Sequence, residues 1–454
     1  MAVTPISADP YQNATSQHAT EVEPDSFAFR GQVVSTFQVG RFFDGGASNV
    51  GWATSSNGAV RFDRGFLPGI TKFAGGPYDR VSDPSVAYDA AHRVWLISSL
   101  ALVEGPLRGA AVVVSRSSNG VDWEPPVAIP NPAGPIDVDK NWTVCDNHPS
   151  SPFYGHCYTQ FDNFAQADRI EMSTSVDGGL TWSAPAETAD HALGLGGQPV
   201  VQPNGTVIVP IPFLIGSPLF AFRSTDGGQT WSATVQVTPI PFHVPAGGLR
   251  APAFPSAEVD ASGKVYAAWP DCRFRAGCAA NDIVFSTTTD GVAWSPVTRI
   301  PIDPVTSAAD HFIPGLAVDP SSSGDHARLA LTYYEYPDAD CTTATCELTV
   351  GFISSRDAGQ TWSAPTELAG PMRLDWLAAT SQGPMVGDYI STSFIGGRAL
   401  PVFATAGPVR GALFTEPITT VRGGILPAAP AKAASLASPA AAAPSSPPAS
   451  TSAR

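Results

Sequence analysis

Short runs in which apolar and polar residues alternate recur along the chain. EPDSFAF (23–29), DPSVAYD (83–89), FPSAEVDASG (254–263), FIPGLAVDP (312–320) and GDYISTSF (387–394) each begin near a proline or glycine, and most run into an Asp, Asn or Gly turn. Second runs such as KVYAAW (264–269) and RLALTYY (328–334) follow them. Alternation at period two puts successive side chains on opposite faces, so these runs predict β-strands. With Pro24, Pro84, Lys140, Pro199, Pro255, Pro314 and Asp388 as markers, the starts recur at intervals of 56 to 60 residues, and the last interval is 74. Three or four short strands per period of that length is the pattern of stacked β-sheet repeats arranged as propeller blades.

A turn motif interleaves with the strand starts. SVDGGLTW (175–182), STDGGQTW (224–231) and SRDAGQTW (355–362) are near copies. TTDGVAW (288–294) and SSNGVDW (117–123) are one residue shorter, and SSNGAVRF (55–62) ends in phenylalanine. The turn positions are Asn57, Asn119, Asp177, Asp226, Asp290 and Asp357. A carboxylate or amide here accepts backbone N–H bonds of its own turn, Gly supplies positive φ, and Trp covers the hairpin. A catalytic acid has no reason to recur in every repeat, so these six positions are expected to be structural.

The boxes resemble those of the sialidase-like, or BNR/Asp-box, β-propeller family, through DGGLTW, DGGQTW and DAGQTW. The resemblance spans residues 23 to 425 and implies an all-β fold, a single β-propeller, with the boxes at the blade periphery. Seven strand starts favour seven blades, with six as the alternative. The last repeat has strands but no box, and is expected to be closed by a strand from elsewhere in the chain. Residues 1–22 form an N-terminal arm. Residues 426–454, almost all Ala, Pro and Ser, lack the large apolar groups of a core and read as a disordered tail.

Composition adds a compartment and excludes some partners. The six cysteines fall in close pairs, Cys145 with Cys157, Cys272 with Cys278 and Cys341 with Cys346, which suggests local disulfides and an oxidising compartment. The protein is therefore expected to be secreted or at the cell surface, although no signal peptide is visible. A net charge of −15 argues against nucleic acid, and no run approaches the roughly 18 apolar residues of a membrane span. No cofactor motif is present. The Asp-rich turn DPSSSGD (319–325) leaves structural calcium open without EF-hand spacing.

If the strands alternate in direction, the boxes share one face with the turns after each first strand. The other face then carries the starts of the first strands, including Glu23, Asp83, Asp139, Lys140, Arg250, His311 and Asp388. It also carries the loops with Arg41, Asp44, Asp162, Asp271, Arg273, Arg275, Tyr333, Tyr334 and Glu335, and the 363–384 connection with Arg373, Asp375 and Trp376. Ionisable groups gather there although only 14% of the chain is charged. Ligand sites of propellers lie near the axis on that face. DCRFRAGC (271–278) is either a clamped pair of guanidinium groups for an acidic sugar or an Asp271–Arg273 lock on its own loop.

The family resemblance implies a catalytic kit of three arginines for the substrate carboxylate, an acid, and a tyrosine nucleophile paired with a glutamate. Carried onto this chain, the arginines are Arg41, Arg250 and Arg273, the acid is Asp83, and TYYEY (332–336) offers Tyr334 with Glu335. Asp271 and Asp388 are further candidates for substrate contact. The expectation is an exo-acting glycoside hydrolase of the sialidase type on acidic glycans. A non-catalytic glycan- or protein-binding propeller, or a polysaccharide lyase, is the alternative.

Overall fold

In the computed structural model, which describes residues 2–214 and 217–430, the alternating runs become short antiparallel strands. Strand pairing sorts them into seven four-stranded units. Their first strands are His18–Phe29, Arg80–Asp89, Val138–Cys145, Val200–Val201, Ser256–Val259, Asp310–Val318 and Ser391–Ile395. Every marker residue lies in, or within three residues of, one of these strands. The first two units are joined into one sheet by a single pairing, Ala47 with Val81. Each first strand lies beside the next, and the seventh lies beside the first, which closes a ring. The fold is a β-propeller.

The seventh unit takes its outermost strand from the far end of the chain. Val3–Pro5 pairs antiparallel with Ile418–Val421, and Ile6 and Ser7 add hydrogen bonds to the same strand. The arm continues past Ser7 into close contact with the first unit, where Asn49 donates to the Tyr11 hydroxyl. Residues 431–454 of the expected tail lie outside the described residues. Its first part does not hang free: the Pro427 carbonyl accepts from the Arg356 guanidinium, and the Ala428 N–H donates to Ser354.

Apart from Leu413–Glu416, which pairs with the start of His18–Phe29, and the single Ala47–Val81 pairing, the first strands have no sheet neighbour on their inner edge, so their backbone groups need other partners. Side chains supply them. Asp25 accepts from the Val86 N–H, Ser85 from Thr143, Gln198 from Ala257, Ser256 from Leu316, and Ser391 from Ser26. Thr392 donates to the Gly315 carbonyl between units six and seven. Beyond this ring the strands enclose an axial cavity of about 820 Å³ that reaches the box-bearing side.

The box aromatics seal the seams between units. Trp123, Trp182, Trp231 and Trp362 are all buried, and each joins a cluster drawn from its own unit and the one before it. Trp294, partly buried, packs in the same sense against Val200 and Ile208. Within each box the acid or amide oxygen is turned inward on its own loop. Asp177 accepts from the Thr181 N–H (2.9 Å), the Thr181 hydroxyl (2.6 Å) and the Ser175 hydroxyl (2.9 Å). Asp226 and Asp357 repeat this set, and Asn57, Asn119 and Asp290 make shorter versions of it. Gly359 (φ 84°) presses so closely on Phe285 of the preceding unit that a Cβ would lie 2.8 Å from that ring.

All three cysteine pairs are disulfides: Cys145–Cys157, Cys272–Cys278 and Cys341–Cys346. The Asp319 turn is an ordinary hairpin turn. Its carboxylate accepts from the Ser321 N–H and hydroxyl and pairs with Arg328 at 2.6 Å.

Candidate functional site

Four first strands carry the same irregularity. In units one, two, three and six the pairing register slips by one residue near the strand start, and there Glu23, Asp83, Lys140 and Ile313 adopt φ of 47–54°. A bulge of this kind bends the strand and re-aims a side chain. Positive φ in a residue other than glycine is a strained state that the surroundings must hold in place. Here it brings two carboxyl groups and one ammonium together at the end of the axis away from the boxes.

Lys140 is the hub. Its Nζ lies 2.5 Å from Asp388 Oδ2, 3.1 Å from Asp83 Oδ2 and 3.6 Å from Glu23 Oε1. Arg250 grips Asp388 in a bidentate pair, with Nε donating to Oδ1 at 2.7 Å and Nη2 to Oδ2. Gln38 donates to Glu23 and to Ser82, whose hydroxyl donates to Asp83 Oδ1 at 2.6 Å. Arg41 completes the ring by donating to Gln38 Oε1 (2.9 Å) and to the Gly46 carbonyl (3.2 Å). Glu23, Asp83, Asp388 and Arg41 are all buried. The Arg250 side chain, 17% exposed, is the most accessible charge of the set.

The carboxyl groups differ in protonation. Burial drives Glu23 up to about 8, with the neighbouring Asp83 charge adding to the effect, so this carboxyl keeps its proton at neutral pH. Burial would raise Asp83 too, but the Lys140 ammonium and the Ser82 hydroxyl hold it below its ordinary range. Burial is likewise outweighed at Asp388, which Arg250 and Lys140 hold far down. Asp139, one residue before the hub, is pushed up to about 6 by burial and by Asp83. Its cross-strand partner Asp162 is also pushed well up by burial.

Beside the hub is a small aromatic recess lined by Lys140, Trp142, Gly196, Gly197, Phe254 and Tyr389. Its volume is about 20 Å³, room for roughly one water. Lys140 lies over the Phe254 ring at 5.7 Å, and Trp142 meets Tyr389 edge to face at 5.1 Å. Arg250 and Trp142 are the partly exposed edge of the site, with the carboxyl groups buried behind them.

Of the residues expected to act together, the structure unites Arg41, Asp83, Arg250 and Asp388, and separates others. Arg273 stays on its own loop, donating to both oxygens of buried Asp271, to Thr238 and to the Pro239 carbonyl. Every one of these contacts locks the loop, so Arg273 does not complete an arginine triad. Tyr334 and Glu335 are neighbours on Leu329–Tyr336 and therefore point to opposite faces. Tyr334 is fully buried between units six and seven, its hydroxyl donating to the Ala404 carbonyl. Glu335 points instead toward His311, with its Oε2 3.2 Å from Nε2. A tyrosine–glutamate nucleophile pair is thus excluded at 334–335. Asp83, held below its ordinary range by Lys140 and Ser82, is less suited to donate a proton than Glu23, which burial raises.

Glu23 and Lys140 are legible as strand-start residues on the right face, but nothing in the sequence assigns them a role. The signal that bears on them is Glu23-Pro24 and Asp83-Pro84, an acid followed by proline at the same point of two repeats. Arg373 and Asp375 form an exposed pair with each other, and Asp44 pairs with Arg80.

Comparison with known proteins agrees with this architecture. A family model described as a BNR repeat-like domain matches residues 108–315. No curated protein matches the chain. Among solved structures, an ulvan lyase reported as a new family of polysaccharide lyase has a TM-score of 0.52 at 11% identity, covering 90% of this chain and 95% of its own. A protein of unknown function from Dyadobacter fermentans has a TM-score of 0.49 at 15% identity (78% and 99% covered). The NanB sialidase of Streptococcus pneumoniae has a TM-score of 0.44 at 12% identity (92% and 69% covered). The chain thus carries a BNR repeat-like domain over residues 108–315 within a β-propeller fold.

Proposed function

We propose that the protein is a secreted carbohydrate-active enzyme that acts on acidic glycans, and that its site is the Glu23–Asp83–Lys140–Arg250–Asp388 cluster. The observation that carries this reading is the convergence of three buried carboxyl groups, Glu23, Asp83 and Asp388, on the Lys140 ammonium behind the partly exposed Arg250, with Glu23 raised and Asp83 lowered from their ordinary values. Paired acids whose environments push them apart are suited to proton donation by one and charge stabilisation or base chemistry by the other. Arg250 and Lys140 would receive a sugar carboxylate or sulfate, with Asp388 holding both cations in place until the anion arrives. Trp142 and Tyr389 offer apolar faces to the sugar ring. The recess is too small for a sugar, so the ring would lie on the face above it.

Lyase chemistry is the second reading. A lyase needs the uronate carboxylate neutralised before a proton is abstracted, and the Arg250–Lys140 edge supplies that as readily. An ulvan lyase of similar fold has been solved bound to a glucuronate–sulfated rhamnose segment. Secretion is in keeping with the three disulfides. No helix among the described residues is long and apolar enough to cross a membrane.

The test is a screen of acidic glycans that follows reducing ends and unsaturated-uronate absorbance together. Reducing ends without absorbance indicate a hydrolase, and both signals together a lyase. Neither signal, with glycan binding retained, leaves a binding propeller and sinks the enzymatic reading. Glu23→Gln should lower turnover by about 10²–10⁴-fold while ligand affinity is kept, as expected for loss of a general acid. Arg250→Ala should instead weaken binding of the acidic glycan.

A further inference from the structure

A second polar cluster lies on the same face, where the connection leaving unit five crosses onto unit six. Asp282 begins the third strand of unit five, Asp303 lies in the connection, and His311 and Glu335 come from the first two strands of unit six. Two guanidinium groups organise the carboxylates. Arg275 Nη2 donates to Asp282 Oδ1 (2.6 Å) and Asp303 Oδ1 (2.7 Å), and Arg299 Nη2 reaches the same two oxygens. Both arginines thus bind the Oδ1 atoms and leave each Oδ2 without a hydrogen bond.

The histidine presents the same pattern. His311 is fully buried, and its Nδ1 faces the Asn281 carbonyl at 3.1 Å. A neutral ring must donate through that nitrogen, so its lone pair is on Nε2. Nε2 has no hydrogen-bond partner and faces carboxylate oxygens from two elements, Glu335 Oε2 at 3.2 Å and Asp303 Oδ2 at 4.0 Å.

A lone pair aimed at carboxylate oxygens is repulsive unless a proton or a cation lies between them. The charges point the same way. Asp282, Asp303 and Glu335 carry three negative charges, and Arg275 and Arg299 supply two positive ones. One atom each from Asp282, Asp303 and His311 lies within 4.8 Å of the others. Donor atoms around a four-coordinate zinc with bonds of about 2.0–2.1 Å are roughly 3.3 Å apart, close to the His311–Glu335 separation.

We propose that Asp282, Asp303 and His311, with Glu335 beside the imidazole, form a binding site for one divalent cation of the zinc class. One imidazole nitrogen with carboxylate oxygens suits a borderline metal, whereas calcium takes six to eight oxygen ligands. The Asn281 carbonyl and the two arginines act as the outer shell, fixing the ring tautomer and the carboxylate orientation. The cation would tie the connection after unit five to unit six.

The test uses the full chain, stripped with a chelator and titrated with zinc chloride by calorimetry and thermal unfolding, with calcium chloride as the comparison. The expected result is one zinc bound per chain with a raised Tm, and no comparable response to calcium. His311→Gln and Asp303→Asn should each lose that equivalent. Asp303 is in a connection rather than a strand, so its variant keeps the test usable if His311→Gln fails to fold. Absence of stoichiometric zinc uptake by the wild-type chain overturns the proposal, as does uptake unchanged in Asp303→Asn.

Discussion

The two faces of the propeller hold carboxylates in opposite ways. On the box face, Asp177, Asp226 and Asp357 each accept hydrogen bonds from residues no more than four positions away. Burial opposes their ionisation, but the threonine hydroxyl and turn N–H groups outweigh it and hold them below the ordinary range. On the opposite face, Glu23, Asp83 and Asp388 meet Lys140 and Arg250 across chain separations of up to 248 residues. A carboxylate satisfied within its own turn serves each repeat and can be copied. One whose charge partner comes from another unit exists once, and its protonation depends on the whole ring. Repetition marks scaffold, and convergence marks a candidate site.

The largest expected effect comes from removing the hub. Lys140→Met leaves buried carboxyl groups without their cation and should destabilise the fold by about 3–5 kcal/mol, measured by denaturant unfolding. A loss below about 1 kcal/mol would mean the cluster is not held by its ion pairs, and the contrast between the faces would fail.

Asp177→Ala or Asp226→Ala should cost about 1–3 kcal/mol, because turn donors lose their acceptor. Ligand binding per folded molecule should not change. A box variant that altered ligand affinity at full stability would place function on the wrong face.

The pH dependence sharpens the contrast. Burial raises Glu21 and Glu23 to about 8, Asp25 to about 7 and Glu258 to about 8. The folded state therefore holds these protons more tightly than the unfolded chain. Their contribution to stability is complete below the ordinary carboxylate range and is lost as pH rises through about 7–8. The lowered box carboxylates, Asp83 and Asp388 act in the other window, losing their contribution only as pH falls below that range. Tm should fall by several degrees between about pH 5 and pH 9, and Glu23→Gln should flatten that slope. A Tm that rose across the interval would contradict the buried, protonated carboxyl groups.

The smallest effect should come from Arg273→Ala. Its partners are all on its own loop or the segment beside it, and its side chain is 26% exposed. A loss of up to about 1 kcal/mol is expected, with affinity for an acidic glycan unchanged. A selective loss of affinity would restore Arg273 to the site.

Much of the architecture is legible in the sequence because its causes are local. Period-two alternation reveals strands, a Ser–Asp–Gly–Thr–Trp turn reveals a hairpin lock, and cysteines 5 to 12 residues apart pair with each other. Strand alternation alone is enough to put Arg41, Asp83, Arg250 and Asp388 on one face. The same rule, applied within RLALTYY and the residues after it, already separates Tyr334 from Glu335. Arg273 could not be resolved this way, since loop lock and ligand clamp share one sequence.

Strands, box turns, disulfides and the face on which ionisable groups collect thus follow from the order of residues alone, because each depends on neighbours close together in the chain. Which of those groups meet, and that Glu23 rather than Asp83 holds a proton, emerges only in the folded molecule. Burial and charge at the axis depend on the closure of the whole ring, in which residues hundreds of positions apart become neighbours.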